Sequence, residues 1–242
     1  MSAPIRRSLL ALLFCFALVS TARAEAVDLE LVLAVDASDS IDSREYTLQM
    51  RGYAEAFLDP VVQKAITSGP HRAIAVTLMR WAGPGSTQVV VDWMKIDGLA
   101  SAQLFGERLQ RGSRTVLSGG TSISDALDRA VAAFENNGFE GERRVIDVSG
   151  DGINNQGREV TAARDDAVKA GVTINALAIK EDAFLPFRGS RTLEDYFVRF
   201  VAGGAGSFVV VADGFADVSR ALIAKLAREI STAPAPLNVA HR

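Results

Sequence analysis

The sequence predicts an α/β protein: a doubly wound, mostly parallel sheet with one antiparallel edge strand and helices on both faces. Three observations carry this. Apolar runs at Leu31-Val-Leu-Ala-Val35, Arg144 to Ser149 and Val172 to Ile179 have the continuous character of strands buried on both sides. Stretches of helical spacing separate them, and such alternation places parallel strands between layers of helix. Only Gly83-Pro84-Gly85-Ser86 joins the strands Arg72 to Trp81 and Gln88 to Met94. That link is too short for a crossover, so this pair is antiparallel.

Taken in order, the chain opens on a targeting segment. Arg6 and Arg7 precede the apolar run Leu9 to Val19, and Ala22-Arg23-Ala24 has the small-x-small form of a signal-peptidase site. The run is too short to span a bilayer comfortably as a permanent anchor; an uncleaved N-terminal anchor is the alternative reading. Residues 1–24 are therefore read as a signal peptide, and the protein as periplasmic or secreted. The single cysteine, Cys15, lies inside this run behind Leu13 and Phe14, which are too large for a lipoprotein attachment site. The exported chain then has no thiol, which excludes disulfides, zinc thiolates and cysteine nucleophiles. Loss of Arg6, Arg7 and Arg23 with no acid takes the formal charge from −3 to −6. A mildly acidic surface offers no electrostatic footprint for nucleic acid or anionic membrane. The remaining length suits one domain over 25–232, followed by a loosely attached tail, 233–242, with Pro234 and Pro236.

Asp42 and Glu45 have capping-box spacing before a helix that carries Tyr46, Met50, Tyr53 and Phe57 on one face. It ends ahead of Pro60. Leu99 to Leu109 reads as a short helix. Ser122 caps a stronger one with Ile123, Leu127, Ala130, Val131 and Phe134 on one side. A helix over Glu159 to Ala170 is stopped at Gly171, where a left-handed cap is expected. Lys180 to Arg191 reads as a longer loop, Leu193 to Val201 as helix, Ser207 to Ala212 as a strand, and Phe215 to Ile230 as a closing amphipathic helix.

The chemistry gathers at strand ends. Asp36, Ser38 and Ser40 follow the first apolar strand at alternate positions; Thr121 stands in Gly119-Gly120-Thr121-Ser122 before a helix; Asp151 stands in Gly150-Asp151-Gly152 after a strand. In a doubly wound sheet, ligands bind at the carboxyl ends of strands where the strand order reverses. If the strands before Asp36 and Asp151 are neighbours there, both carboxylates face one crevice. These three pieces, in this order, resemble the metal-ion-dependent adhesion site of von Willebrand factor A (VWA) domains. The resemblance covers nearly all of the exported chain, and Gly171 to Ile179 with Leu193 to Phe208 further resembles a bacterial subgroup of secreted VWA-like proteins. It implies that Ser38, Ser40 and Thr121 ligate a divalent ion while Asp36 and Asp151 bind it directly or through water. Hydroxyl and carboxylate oxygens suit hard ions, Mg²⁺ first and Mn²⁺ or Ca²⁺ next. It also implies a protein partner whose Asp or Glu completes the metal shell, with Phe184 and Phe187 as contact candidates in the loop beside the site. Gly150 departs from the family, where a hydroxyl residue often precedes the aspartate.

Two other readings are of different classes. A metal-dependent hydrolase would use Ser38 or Ser40 with a metal-activated water, but His71 and His241 lie far in sequence from all three pieces. A degenerate VWA scaffold would keep the residues for structure alone and show no response to metal. Nucleotide binding is excluded because the turn after the first strand has no glycine. The chain is accordingly read as a binding module and not an enzyme.

Overall fold

The computed structural model describes residues 24–112, 117, 119–180 and 187–231. The signal-peptide reading over 1–23, Cys15, Phe184 and the tail lie outside these residues. In chain order the elements are β1 (Glu25–Val27), β2 (Leu29–Asp36), α1 (Ser43–Leu58), α2 (Pro60–Ile66), β3 (Ile74–Trp81), β4 (Thr87–Ile96), α3 (Leu99–Arg111) and α4 (Ile123–Ala133). They continue with β5 (Phe139–Gly141), β6 (Arg144–Gly150), α5 (Val160–Lys169), β7 (Val172–Ile179), α6 (Leu193–Tyr196), β8 (Val209–Ala212) and α7 (Val218–Ser231).

Six strands form one sheet in the order β4-β3-β2-β6-β7-β8. All neighbours are parallel except β3 and β4, so the expected antiparallel strand does sit at an edge. The chain builds outward from β2 to β4, then returns to the other side of β2 with β6. The strand order therefore reverses between β2 and β6, and the two strands that end on Asp36 and lead into Asp151 are hydrogen-bonded neighbours.

Every residue of β2 is buried, because alternate side chains leave opposite faces of a strand and both faces are covered. Leu29, Leu31, Leu33 and Val35 pack with α1, α3 and α7 on one side. Val32 and Ala34 pack with α4, α5 and α6 on the other. Burying each such side chain contributes roughly 1.5–3 kcal/mol. On the first side the rings of Phe57 and Phe105 meet edge to face, 4.8 Å apart, and lock α1 to α3.

The capping box forms as its spacing required. Asp42 Oδ1 accepts from the amides of Arg44 and Glu45 at 2.6 and 2.8 Å, and Glu45 accepts from the amide of Asp42 at 2.7 Å. Gly171 adopts φ +82° at the end of α5, the left-handed turn that a side chain would resist. Three features were not expected. Pro60 ends nothing further but opens α2, where its missing N–H costs nothing and Asp59 supplies the cap at 2.8 Å. Strands β1 and β5 pair as a separate two-stranded sheet. Past Tyr196 the helix widens into a π-helical turn, Phe197–Val201.

Candidate metal centre

The first motif lies where β2 leaves the sheet. Asp36 is fully buried and Ser38 nearly so. The Ser38 amide donates to Asp36 Oδ1 at 2.8 Å, which folds the backbone into a tight turn of the kind Asp favours. That turn brings Ser38 Oγ to 3.2 Å from Ser40 Oγ. Ser40 Oγ in turn donates to Asp151 Oδ1 at 3.2 Å. The first and third motifs thus touch directly across 111 residues of sequence.

The second motif joins them through backbone. Asp39 donates its amide to the Gly119 carbonyl and accepts from the Gly119 amide, both at 3.3 Å. The Thr121 carbonyl accepts from the amides of Asn155 and Gln156 at 2.9 and 3.2 Å, and the Thr121 amide donates to Asn155 Oδ1 at 2.8 Å. The Ser122 amide donates to the Ala82 carbonyl at 3.0 Å, tying the same loop to the end of β3. Thr121 is buried and faces the third loop: a Cβ on Gly152 would lie 3.5 Å from its Oγ1. Asp36, Ser38, Ser40, Thr121 and Asp151 are therefore drawn to one end of the sheet, at the reversal between β2 and β6.

The residues present suit a hard cation on an electrostatic criterion. Asp36 Oδ2 is buried with no hydrogen-bond partner, an arrangement that costs about 1–3 kcal/mol or more for a charged group. Burial first, and the negative Asp151 second, push the Asp36 carboxyl up to about 7, against the two hydrogen bonds from Ser38 that lower it. A cation would reverse both penalties. Among the described residues no three His, Cys, Asp or Glu side chains cluster as a metal-holding group. The donor set here is instead two carboxylates and three hydroxyls, few in formal charge.

Gly150 now has a physical reason. A Cβ at this position would stand 3.0 Å from Asp36 Oδ2, so the glycine leaves room beside the unpartnered oxygen where a hydroxyl residue would press on it. Asn154, Asn155 and Gln49 were missed by sequence reasoning. Asn154 Oδ1 accepts from the Ser124 amide at 2.9 Å and Gln49 Nε2 donates to the Asp36 carbonyl at 3.3 Å. The signal for the two asparagines was their pairing one residue past the Asp151-Gly152 turn, and Gln49 had none. Phe187 is half-buried, edge-on to Tyr196 at 5.8 Å, and lines a cleft of about 180 Å³ beside the third motif.

Residues 26–234 match DUF1194, a family described as proteins of unknown function. The chain belongs to this family. No curated protein sequence matches the DUF1194 chain. Its fold is that of VWA domains, as solved structures show. Proximal thread matrix protein 1 from the mussel byssus, in a form with a zinc-occupied MIDAS motif, superposes with a TM-score of 0.58 at 16% identity, over 86% of this chain and 46% of that one. A von Willebrand factor type A protein from Catenulispora acidiphila superposes with 0.56 at 13%, over 85% and 43%. An aerotolerance-related membrane protein from Bacteroides fragilis gives 0.55 at 20%, over 82% and 98%. The DUF1194 chain spans less than half the length of the first two.

Proposed function

We propose that this protein is an exported binding module whose three motif loops hold a divalent cation, Mg²⁺ in preference to Mn²⁺ or Ca²⁺, and use it to capture an acidic side chain of a protein partner. The observation that carries this reading is Asp36 Oδ2, a buried carboxylate oxygen without a partner at the point where the three loops converge. Ser38, Ser40 and Thr121 would ligate the ion and Asp36 and Asp151 would hold it directly or through water. The bound ion supplies a Lewis-acidic site that prefers one more anionic oxygen. The chain's own contribution is placement. The Asp36–Ser38 turn fixes the first two oxygens, Ser40 couples that turn to Asp151, and Asn155 fixes the loop of Thr121. Neutral hydroxyls leave the ion's charge largely uncompensated, which favours an incoming Asp or Glu. Because the exported chain is itself acidic, attraction is confined to short range.

Phe187 and Phe200, in a cleft otherwise lined mostly by polar residues from Asn154 to Glu159, would take apolar contacts from the same partner, with Phe184 as a further contact candidate. A non-enzymatic role is supported by the serines' own bonds: Ser38 Oγ meets Ser40 Oγ, and Ser40 donates to a carboxylate instead of being activated by an imidazole or amine. A pull-down from periplasmic and culture fractions tests the reading. Partner capture should vanish with chelator, return with Mg²⁺ or Mn²⁺, and weaken about tenfold or more in Thr121→Ala while the circular dichroism spectrum is unchanged. Capture indifferent to both places the interface elsewhere.

Export rests on the basic start, the apolar run and Ala22-Arg23-Ala24. Among the described residues no helix is long and apolar enough to cross a membrane. N-terminal sequencing of the protein from the exported fraction should begin at Glu25. Recovery of the intact Met1 form from the cytoplasm contradicts export.

A further inference from the structure

A second polar cluster lies under α7, on the opposite side of the sheet from α4 and α5, and the metal centre does not use it. Asp147 of β6 and Lys225 of α7 are fully buried, and Glu229, one turn beyond Lys225, is 1% exposed. Lys225 Nζ lies 2.7 Å from Asp147 Oδ1. It donates to both oxygens of Glu229, at 3.3 and 3.4 Å. Neither oxygen of Asp147 has a hydrogen-bond partner, so the nitrogen sits against this carboxyl group off the direction of a hydrogen bond. Glu229 is held in place by Asn175 Nδ2 at 2.6 Å, and Asn175 Oδ1 accepts from the Phe208 amide at 3.1 Å. The Phe208 ring, 5.6 Å from Nζ, closes the site on one side.

Two carboxylates around one ammonium, all out of water, leave a charge imbalance that solvent cannot screen. Burial above all, reinforced by Glu229, outweighs Lys225 and pushes the Asp147 carboxyl above the ordinary carboxylate range. A proton moved from Nζ to Asp147 makes a neutral amine facing a neutral carboxylic acid in a dry, fixed geometry. These are the two partners of an amide condensation, and holding them at contact distance turns a bimolecular reaction into an effectively unimolecular one.

We propose that Lys225 and Asp147 condense to an intramolecular isopeptide bond, with Glu229 as proton carrier. The Nζ lone pair attacks Asp147 Cγ and a C–N bond forms. Glu229 takes the proton released from Nζ and delivers it to the departing oxygen of Asp147. The C–O bond breaks and one water leaves. An ammonium and a carboxylate are replaced by an amide and water, so no oxidant, reductant or cofactor is needed. The Lys225 and Asp147 charges disappear together, Glu229 keeps its bond from Asn175, and the reverse reaction needs water in a site that excludes it. The bond would tie the centre of the sheet to the last described helix in a chain whose one cysteine lies in the predicted leader.

Intact-mass spectrometry of the denatured full protein, with its N-terminus sequenced on the same sample, tests this. The expected mass is lighter than the sequence by one water, and proteolysis should yield a branched peptide joining the segments of Asp147 and Lys225. Lys225→Met should restore the full mass, and Glu229→Gln should leave most molecules uncondensed. A wild-type mass equal to the sequence overturns the proposal and leaves an ionic cluster. A deficit that persists in Lys225→Met overturns it as well, because cyclisation at Asp151-Gly152 or Asp213-Gly214 also loses water. A Glu229→Gln protein that still condenses fully removes Glu229 from the step.

Discussion

Saturating Mg²⁺ or Mn²⁺ is expected to raise the melting temperature, and Asp36→Asn to abolish that rise without lowering the metal-free value. A ligand that binds only the folded state at a hundredfold excess over its Kd contributes about 2.7 kcal/mol. For a chain of this size each kcal/mol moves the midpoint about 2–4 °C, so the rise is about 5–10 °C. The metal-free half follows from Asp36 Oδ2, which is buried without a hydrogen-bond partner. An amide keeps an acceptor for the Ser38 N–H and removes a buried charge whose burial and repulsion from Asp151 outweigh the bonds from Ser38, so the metal-free variant should melt at or above wild type. Asp151→Ala should lose the metal response too. Scanning fluorimetry over a metal titration reads both halves. A variant that melts lower without metal and still responds to it would mean that Asp36 serves the fold and not an ion.

Lys225→Met should be among the most damaging single substitutions in the described residues. The methionine fills the space of the lysine stem but leaves Asp147 and Glu229 buried without a cation. Breaking a buried pair in this way costs about 3–5 kcal/mol, or roughly 6–20 °C in midpoint. In a condensed protein, loss of the covalent tie to β6 takes the place of the broken pair. The matched control is Arg51→Ala. Its partner is Glu55 at 2.6 Å, but the two side chains are 70% and 43% exposed, and pairs of that kind contribute about 0–1 kcal/mol. Urea unfolding of both variants gives the comparison. Equal midpoints would show that the buried cluster carries no more stability than a surface pair.

The sheet was legible because its strands are buried on both faces, so β2, β6 and β7 appear as mostly apolar runs, with few polar residues such as Glu30, Asp147 and Asn175 among them. The proposed metal site was legible for a related reason. Each motif stops such a run, or opens a helix, with oxygen-bearing residues, and parallel neighbours bring strand ends together at the reversal of order. The rest failed on identifiable grounds. Strands β1 and β5 are three residues each, too short for a period of two to repeat and stand out. Pro60 carries one meaning for the helix before it and another for the helix after it. Lys225 and Glu229 stand four apart on an amphipathic helix, the usual spacing of a solvated ion pair, and nothing in the local sequence places Asp147 opposite them. Gly150 read as a departure from the VWA pattern until its distance to Asp36 Oδ2 gave it a purpose.

Crystals grown or soaked with Mn²⁺ and measured for anomalous scattering test the central claim most directly. The account predicts one strong anomalous peak within coordination distance of Ser38, Ser40 and Thr121 oxygens, with Asp36 and Asp151 reaching it directly or through a water, and no such peak in Asp36→Asn crystals treated alike. Wild-type crystals at saturating Mn²⁺ with no peak among these five residues, or with their only peak elsewhere, would contradict it.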